Sequence, residues 1–514
     1  MVVMVFFVLS RAMGLLREVV IARQFGTSAE LDAYLAAFRI PDLLFALMAG
    51  GALGSALIPV LSAYLAREDE RAAWQLASAV LNWVVLAMGG VAALVALLAP
   101  LLVRSVIAPG FTPAQQALTA ELMRWMLLST LIFGVSGIVM GILNARQHFL
   151  LPSLAPAAYN LAIILGAYLL GPTLGVRGAV IGVVAGAAAH LLVQLPALQR
   201  FDVRYWPRLA PHDAGVREVG RLMAPRALGL AAVELNHLVN VVLASGLAAG
   251  SLAALNYGRM MMLLPEGIIA QSVAIAAFPT FSALLARNEQ AAMRRVFLTT
   301  LRSVLYLTLP ATVGLILLRE PLVITLLQRG AFDARSSAAT AWALLFYALG
   351  LASHAALEII TRAFYAAHDT RTPVSVGVAA MVANAILSVA LMTLFRRLDW
   401  APHGGLALAN TLATTAEMGV LLWLLHRRLG ILHGAREISS AMGRIGLGCL
   451  VALLTLLGVN ATFADAPAWL VCGLGIVLGG GMYVLTTLAL RCDEPMALMR
   501  TLWRRVRRDV PASG

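Results

Sequence analysis

The chain contains no lysine: all 38 of its basic residues are arginine, and with 25 acidic residues they leave a formal charge of +13. A Walker A loop sets a lysine on nucleotide phosphates and imine chemistry needs a lysine amine, so ATP hydrolysis by this chain and Schiff-base catalysis are both excluded. Charge of any sign is scarce, at 12% of residues, where soluble domains carry roughly a quarter. Cysteine is scarcer. Cys449, Cys472 and Cys492 fall near the C-terminal end with no Cys-x-x-Cys or Cys/His spacing, which argues against a disulfide framework or a zinc site. No HExxH, GxSxG or paired-aspartate pattern is present, so the chain reads as a non-enzyme with no metal and no cofactor. The alternating ten-residue segments of a membrane β-barrel are missing too. What fills the sequence is 61% hydrophobic residues and a mean hydropathy of +0.87. Apolar runs recur from end to end, each about the length of a helix that crosses the hydrocarbon core. The class is all-α polytopic membrane protein, and the basic charge reads as loop charge rather than a nucleic-acid face.

Breaks at polar, proline and glycine positions divide the chain into about 14 transmembrane helices, near 1–24, 31–64, 75–103, 117–144, 154–171, 176–199, 216–247, 251–285, 295–318, 336–366, 374–395, 403–426, 437–459 and 467–490. The runs beginning at 31 and 251 are long enough that they are expected to bend or to protrude into water. Residues 1–9 lack a small-residue cleavage site and continue in helical pattern through Arg11, so the first segment is expected to be retained. An even helix count puts both termini on one side. With that side cytoplasmic, inside loops and tail hold about 21 arginines against about seven outside, as the positive-inside rule requires.

The sequence repeats itself. "IPVLSAYLAREDERAA" from Ile58 returns as "FPTFSALLARNEQAAM" from Phe278, 220 positions on, and Pro100, Phe111 and Pro152 match Pro321, Phe332 and Pro373 at an offset of 221. A repeat spanning six helices implies two six-helix lobes of the same orientation, related by an axis along the membrane normal. The expected division is 1–215 for the first lobe, 216–432 for the second, 433–491 for two appended helices, and 492–514 for a basic amphipathic tail ("EPMALMRTLWRRVRRDV") lying on anionic lipid.

The opening stretch "MVVMVFFVLSRAMGLLREVVIARQFG" is apolar yet carries Arg11, Arg17, Glu18 and Arg23. Each such group costs about 2.5 to 3.5 kcal/mol at mid-bilayer on insertion scales, so these side chains are expected to face water or one another. Arg11 and Glu18, seven apart, share a helix face. Further intramembrane candidates are Asp32, Arg39 and Asp42, then Arg226, Glu234, Asn236, His237 and Asn240, then Arg259 and Glu266. Arg39 and Arg259 are equivalent under the repeat, which suggests two walls of one hydrated cavity. Excess arginine there implies an anionic ligand, because guanidinium clamps phosphate or carboxylate through paired donors. His190, His354, Glu358, Arg362 and Glu417 lie in later helices. Glu358 and Arg362, spaced i,i+4, can simply pair; the five are weighed as a proton relay, and Glu234, His237, Glu358 and Arg362 are candidates for gating or ion coupling.

"SRAMGLLREVVIARQFG" and "LDAYLAAFRIPDLLFALMAGGALGSALIPVLSAYL", with "GLILLREPLVITLLQRGAFDA" and "RAFYAAHDTRTPV" later, resemble the signatures of the MurJ (MviN) family, lipid II flippases of the MOP exporter superfamily. The resemblance implies a bacterial inner-membrane transporter that moves undecaprenyl-diphosphate-linked peptidoglycan precursor to the outer leaflet by alternating access. It also implies a secondary-type mechanism, a cationic cavity for the diphosphate, contact with membrane lipids, and cell-wall synthesis proteins as candidate partners. Arg11, Arg17 and Asp32 fall on the family's functional positions, with Ser10 and Glu18 beside them. The chain departs where Phe45 and Ala46 stand in place of arginines, Gly50 in place of a carboxylate, and Met260 in place of the family's next arginine, which Arg259 precedes by one residue. Arg39, Arg226 and Arg259 are the residues that would restore the positive field. Three alternatives stay open: a flippase of another polyprenyl-diphosphate saccharide, a multidrug or organic-cation antiporter, and a non-transporting membrane scaffold.

Overall fold

The computed structural model describes residues 2–48, 51–431, 435–492 and 494–495, and the described residues form helices and no strand. In chain order these are α1 (Val2–Phe25), α2 (Ala29–Ala37), α3 (Arg39–Met48), α4 (Gly51–Ala66), α5 (Glu70–Leu102), α6 (Pro113–Ala145), α7 (Leu150–Leu165), α8 (Gly171–Leu174), α9 (Val176–Leu192), α10 (Leu195–Leu198), α11 (Ala214–Ser245), α12 (Ser251–Glu266), α13 (Ser272–Ala286), α14 (Gln290–Leu317), α15 (Arg319–Leu327), α16 (Ala334–Leu349), α17 (Leu351–Ala366), α18 (Arg371–Arg397), α19 (His403–Leu429), α20 (Ala435–Thr462) and α21 (Ala468–Ala489). Gly50, the side chain of Arg226 and the basic stretch from Met496 onward lie outside the described residues.

Among the described residues, ten helical stretches are long and apolar enough to cross a membrane, or eleven if α16 and α17, which meet at 45°, form one span. The expectation of about 14 exceeds that count by the segments near 1–24, 31–64 and 216–247. These are helical as α1, α2 to α4 and α11, and they are the ones that carry Arg11, Arg17, Asp32, Arg39, Asp42 and Glu234. The segment 31–64 is broken into three helices each shorter than a full span, while α1 and α11 are long but carry several ionisable groups.

Both long runs break, each at a proline. Pro41 has no N–H to offer the Ala37 carbonyl, and the chain turns between α2 and α3 at Phe38. Pro265 weakens the ladder in the same way at the end of α12, and a π-helical turn, Gly267–Gln271, leads into α13.

The repeat is visible in the backbone. Glu68 and Asn288, 220 apart, both adopt left-handed φ (59° and 58°), as do Gln147 and His368, 221 apart (58° and 57°). Each ends a helix with a six-to-one hydrogen bond: Asp69 N–H to Tyr64 (3.2 Å), Glu289 to Leu284 (2.9 Å), His148 to Leu143 (2.8 Å) and Asp369 to Phe364 (3.0 Å). This is the Schellman closure, made here with non-glycine residues in a conformation that costs each of them roughly 1 kcal/mol.

Packing divides the chain into two compact units, Met1–Ala253 with Leu327–Ser336, and Ala254–Leu326 with Ser337–Gly514. The division differs from the repeat boundary near 215 because α11 packs on α3 and α4 of the first unit. The first unit's core gathers Leu53, Leu57, Leu61, Trp74, Met88 and Ile138. In the same unit, Gly178, Gly182 and Gly186 form a stripe along α9, where a Cβ would collide with the backbone of α7 or of the turn after it. Small residues at this spacing let membrane helices touch, and they set α9 close against α7. The second unit's core joins Phe281, Phe297, Ile359, Ile360, Phe364 and Leu421. There α21 is fastened to α14 by the Tyr483 hydroxyl, which donates to the Tyr306 carbonyl at 2.7 Å. At the root of the tail, Arg302 pairs with Glu494 at 2.6 Å.

Candidate functional site

The first unit assembles most of the expected charges around α1. Arg17 donates to Glu18 Oε1 from Nη2 (2.6 Å) and Nε (3.2 Å), and to Asn160 Oδ1 from Nη1 (3.1 Å). Asn160 is oriented for this because its own amide donates to the Pro156 carbonyl one turn back in α7 (3.0 Å). The pair keeps part of its surface open, with 28% of the Arg17 side chain and 18% of Glu18 exposed. Tyr34 and Tyr159 lie within electrostatic reach of Arg17. Nearly two turns toward the N-terminus of α1, Arg11 is exposed and Ser10 half-buried.

Across from α1, Asp42 has Arg39, Glu234 and Arg17 as its charged neighbours, and Arg39 also donates to the Leu35 carbonyl of its own turn (3.2 Å). The half-buried His237 lies on α11 less than one turn past Glu234. Arg17 and Arg39 therefore stand among three carboxylates, Glu18, Asp42 and Glu234, in keeping with the need of charges that leave water in a membrane for opposite charge nearby.

Asp32 does a different job from the one expected. It is 2% exposed, and its two oxygens accept the backbone N–H groups of Gly250 (2.6 Å) and Ala253 (2.8 Å). A carboxylate on the free amides of a helix start is the favoured partner of that end, and here both of its oxygens are engaged by backbone. Around it the chain is knotted by close backbone approach. At Gly250, with φ +87°, a Cβ would overlap the Thr27 carbonyl, and at Gly26, with φ +60°, the Ala331 carbonyl. The Ala331 N–H donates to the Arg23 carbonyl (2.8 Å), and Thr27 Oγ1 donates to Ser336 Oγ (2.9 Å).

In the second unit Arg259 has Glu266, Tyr347 and His354 as neighbours, while Glu358 pairs with Arg362 at 3.6 Å. The sequence equivalence of Arg39 and Arg259 does not extend to local structure. Arg39 opens a helix after a break, whereas Arg259 sits inside α12, because the prolines occupy different repeat positions. Where family resemblance leads one to expect arginine, Phe45 instead packs edge-on against Phe133 (5.4 Å), which in turn meets Tyr159 (5.0 Å) and His190 (5.2 Å). Asn160, Tyr34 and Tyr159 were not anticipated from sequence. An asparagine in the otherwise apolar "LAPAAYNLAIIL" was the signal available. Among the described residues no three His, Cys, Asp or Glu side chains are grouped to hold a metal.

Outside the spans, the loop between α17 and α18 holds Asp369. Hydrogen bonds from the Thr372 hydroxyl (2.7 Å) and N–H (3.0 Å), and then the Arg428 guanidinium, keep its carboxyl below the usual carboxylate range. At the corresponding corner of the first repeat, Arg146 bonds both oxygens of Glu70 and stacks over Phe201 (4.6 Å) and Trp74 (5.2 Å).

Residues 21–474 match the family model described as "Lipid II flippase MurJ". Among curated relatives, a probable lipid II flippase MurJ of Vibrio cholerae is 28% identical over 500 residues, covering 94% of this chain and 93% of that one. A second, from Synechocystis, is 30% identical over 469 residues, covering 85% and 84%. Of solved structures, a lipid II flippase MurJ in an inward closed conformation aligns with a TM-score of 0.79 at 24% identity, over 96% of this chain and 99% of that one. An inward-facing multidrug transporter of the MATE family aligns with a TM-score of 0.67 at 16% identity, over 82% and 95%. The likeness to both solved structures is one of fold. The uninterrupted family match and the 30% relative carry the assignment: this chain belongs to the lipid II flippase MurJ family.

Proposed function

We propose that the protein moves lipid II, the undecaprenyl-diphosphate-linked peptidoglycan precursor, from the inner to the outer leaflet of the bacterial inner membrane. The carrying observation is the match of residues 21–474 to a family described by that activity. In this reading Arg11 and Arg17 meet the diphosphate: Arg17 keeps an open face and is presented by Glu18 and Asn160, with Ser10 alongside and Arg39, Arg226 and Arg259 adding to the field. An incoming diphosphate competes with Glu18 for the guanidinium, an exchange of one charge-assisted pair for another. Asp32 serves by holding the knot at Gly250. Transport runs by alternating access without covalent chemistry, with both termini cytoplasmic, six helices in each repeat lobe, and the basic tail from Met496 on anionic lipid.

The test is growth of cells depleted of their own flippase. The wild-type chain is expected to restore growth. Arg17→Ala and Arg11→Ala, at normal protein levels, are each expected to fail. Rescue by the double alanine variant would remove these arginines from the site, and failure of the wild type would remove the lipid II reading.

One observation favours a second reading, a different saccharide on the same polyprenyl diphosphate: the aromatic contact of Phe45 with Phe133 where an arginine was expected. Competition between lipid II and other polyprenyl-diphosphate saccharides for the purified protein decides between the two. Efflux of cationic dyes would instead support the antiporter alternative.

A further inference from the structure

Glu266 is the least comfortable charge among the described residues of the second unit. It is the last residue of α12, where the helix passes into the π-helical turn Gly267–Gln271, and such turns recur at functional positions of helices. The residue is 5% exposed, and its Oε2 is sealed from solvent with no hydrogen-bond partner. Its charged neighbours are a second carboxylate, Glu358, and a single cation, Arg259.

Among the described residues, the other polar groups nearby are engaged elsewhere. On α17, Glu358 is already held by Arg362 at 3.6 Å, and His354 is hydrogen-bonded to Asn410 of α19 and repelled by Arg259. On α16, Tyr347 lies near the same arginine. Glu417 of α19 is half-buried and lies close to Gly377 of α18. The α14 arginines that point inward are engaged elsewhere, Arg294 with the Leu429 carbonyl and Arg302 with Glu494. An ionised carboxylate with a sealed, partnerless oxygen, facing a like charge in a low-dielectric interior, is a state that proteins avoid by binding a proton.

We propose that Glu266 is a proton-carrying site: in this conformation its carboxyl holds a proton while Glu358, tied to Arg362, stays ionised beside it. When the O–H bond breaks, the proton leaves to water and the negative charge stays on the carboxylate, which then favours a conformation that hydrates both oxygens. Proton binding and release at Glu266 therefore bias the equilibrium between two states of the second unit, by the difference in their affinity for the proton. Coupling of that bias to lipid movement rests on the transport reading above. The proton site itself does not.

Infrared spectroscopy of the purified full chain reads the site without any transport. At neutral pH the wild type is expected to show the carbonyl stretch of a buried protonated carboxyl. Glu266→Gln is expected to lose that band and Glu417→Gln to keep it. Glu358→Gln, which removes the like charge, is expected to lose the band at a lower pH than the wild type. A wild type without the band, or a band that survives in Glu266→Gln, would overturn the proposal. In vesicles with an imposed pH difference, wild-type lipid movement is expected to change several-fold with the direction of the gradient and Glu266→Gln to lose that dependence. A wild type that shows the infrared band but moves no lipid II refutes the transport reading and leaves the proton site standing.

Discussion

The two sequence repeats close their helices on the same left-handed turns, yet they handle buried charge in opposite ways. In the first, Pro41 breaks the chain between α2 and α3, and the freed surface hosts Asp42 and Arg39 beside Arg17, Glu18 and Glu234. In the second, the equivalent stretch runs on through α12 until Pro265, and Glu266 is left with one arginine and a competing carboxylate. Four residues separate the two prolines in repeat register, and the break falls just before Arg39 in one repeat and well after Arg259 in the other. A repeat preserves helix boundaries more readily than polar partners, because a boundary is set by local backbone chemistry and a partner by its distance across a helix interface.

The knot at Gly250 belongs to the first unit, and breaking it should have the largest effect. Gly250→Val adds both a strained φ and an overlap with the Thr27 carbonyl, and an expected loss of about 3 to 4 kcal/mol should appear as a large drop in the thermal midpoint of the purified protein. Gly314→Ala in α14, where a Cβ meets nothing within 4 Å, should be neutral or stabilising by up to about 1 kcal/mol. Next, Asp32→Ala removes two charge-assisted hydrogen bonds in a buried place and should cost about 3 kcal/mol, with Asp32→Asn intermediate because one acceptor remains.

The comparison between repeats sharpens at the helix-end corners. Arg146 is 12% exposed and doubly bonded to Glu70, whereas Arg428 is 55% exposed where it meets Asp369. Arg146→Ala should therefore destabilise by about 2 kcal/mol through lost stacking and pairing, and Arg428→Ala by less than about 1. The smallest effect is a pH dependence at Asp369. Its folded carboxyl titrates below the unfolded value, so its contribution is complete above the ordinary carboxylate range and is lost as pH falls through that range toward the folded value. Thr372→Ala, which removes the first cause of the shift, should shrink that acid-side loss slightly in an acid-unfolding curve.

Much of the fold was legible in the sequence. Apolar length marked the spans, and the matched segments at Ile58 and Phe278 foretold turns that are the same to within a degree or two at Glu68 and Asn288. The site was legible only in part. Arg17 and Glu18 stood out as charges in an apolar segment, but Asp32 looked like a ligand-facing acid until its oxygens were found on the amides of Gly250 and Ala253. Asn160 carries no charge, so ionisable groups alone do not point to it; its signal is a polar amide within an apolar segment, which has to find a hydrogen-bond partner. Packing also placed α11 with the first unit, which no repeat offset announces.

The sequence by itself determined that this chain is a bundle of membrane helices with an internal repeat and arginine as its sole strong cation, since span length, helix breaks and charge type are properties of neighbouring residues. Only the tertiary structure decided which charges are answered: Arg17 by Asn160 across 143 positions, Asp32 by an amide 218 positions away, and Glu266 by too little. Hydrogen-bonded pairing needs donor and acceptor within about 3 Å in good alignment, and that separation is set by how helices lie against one another rather than by how the residues follow along the chain.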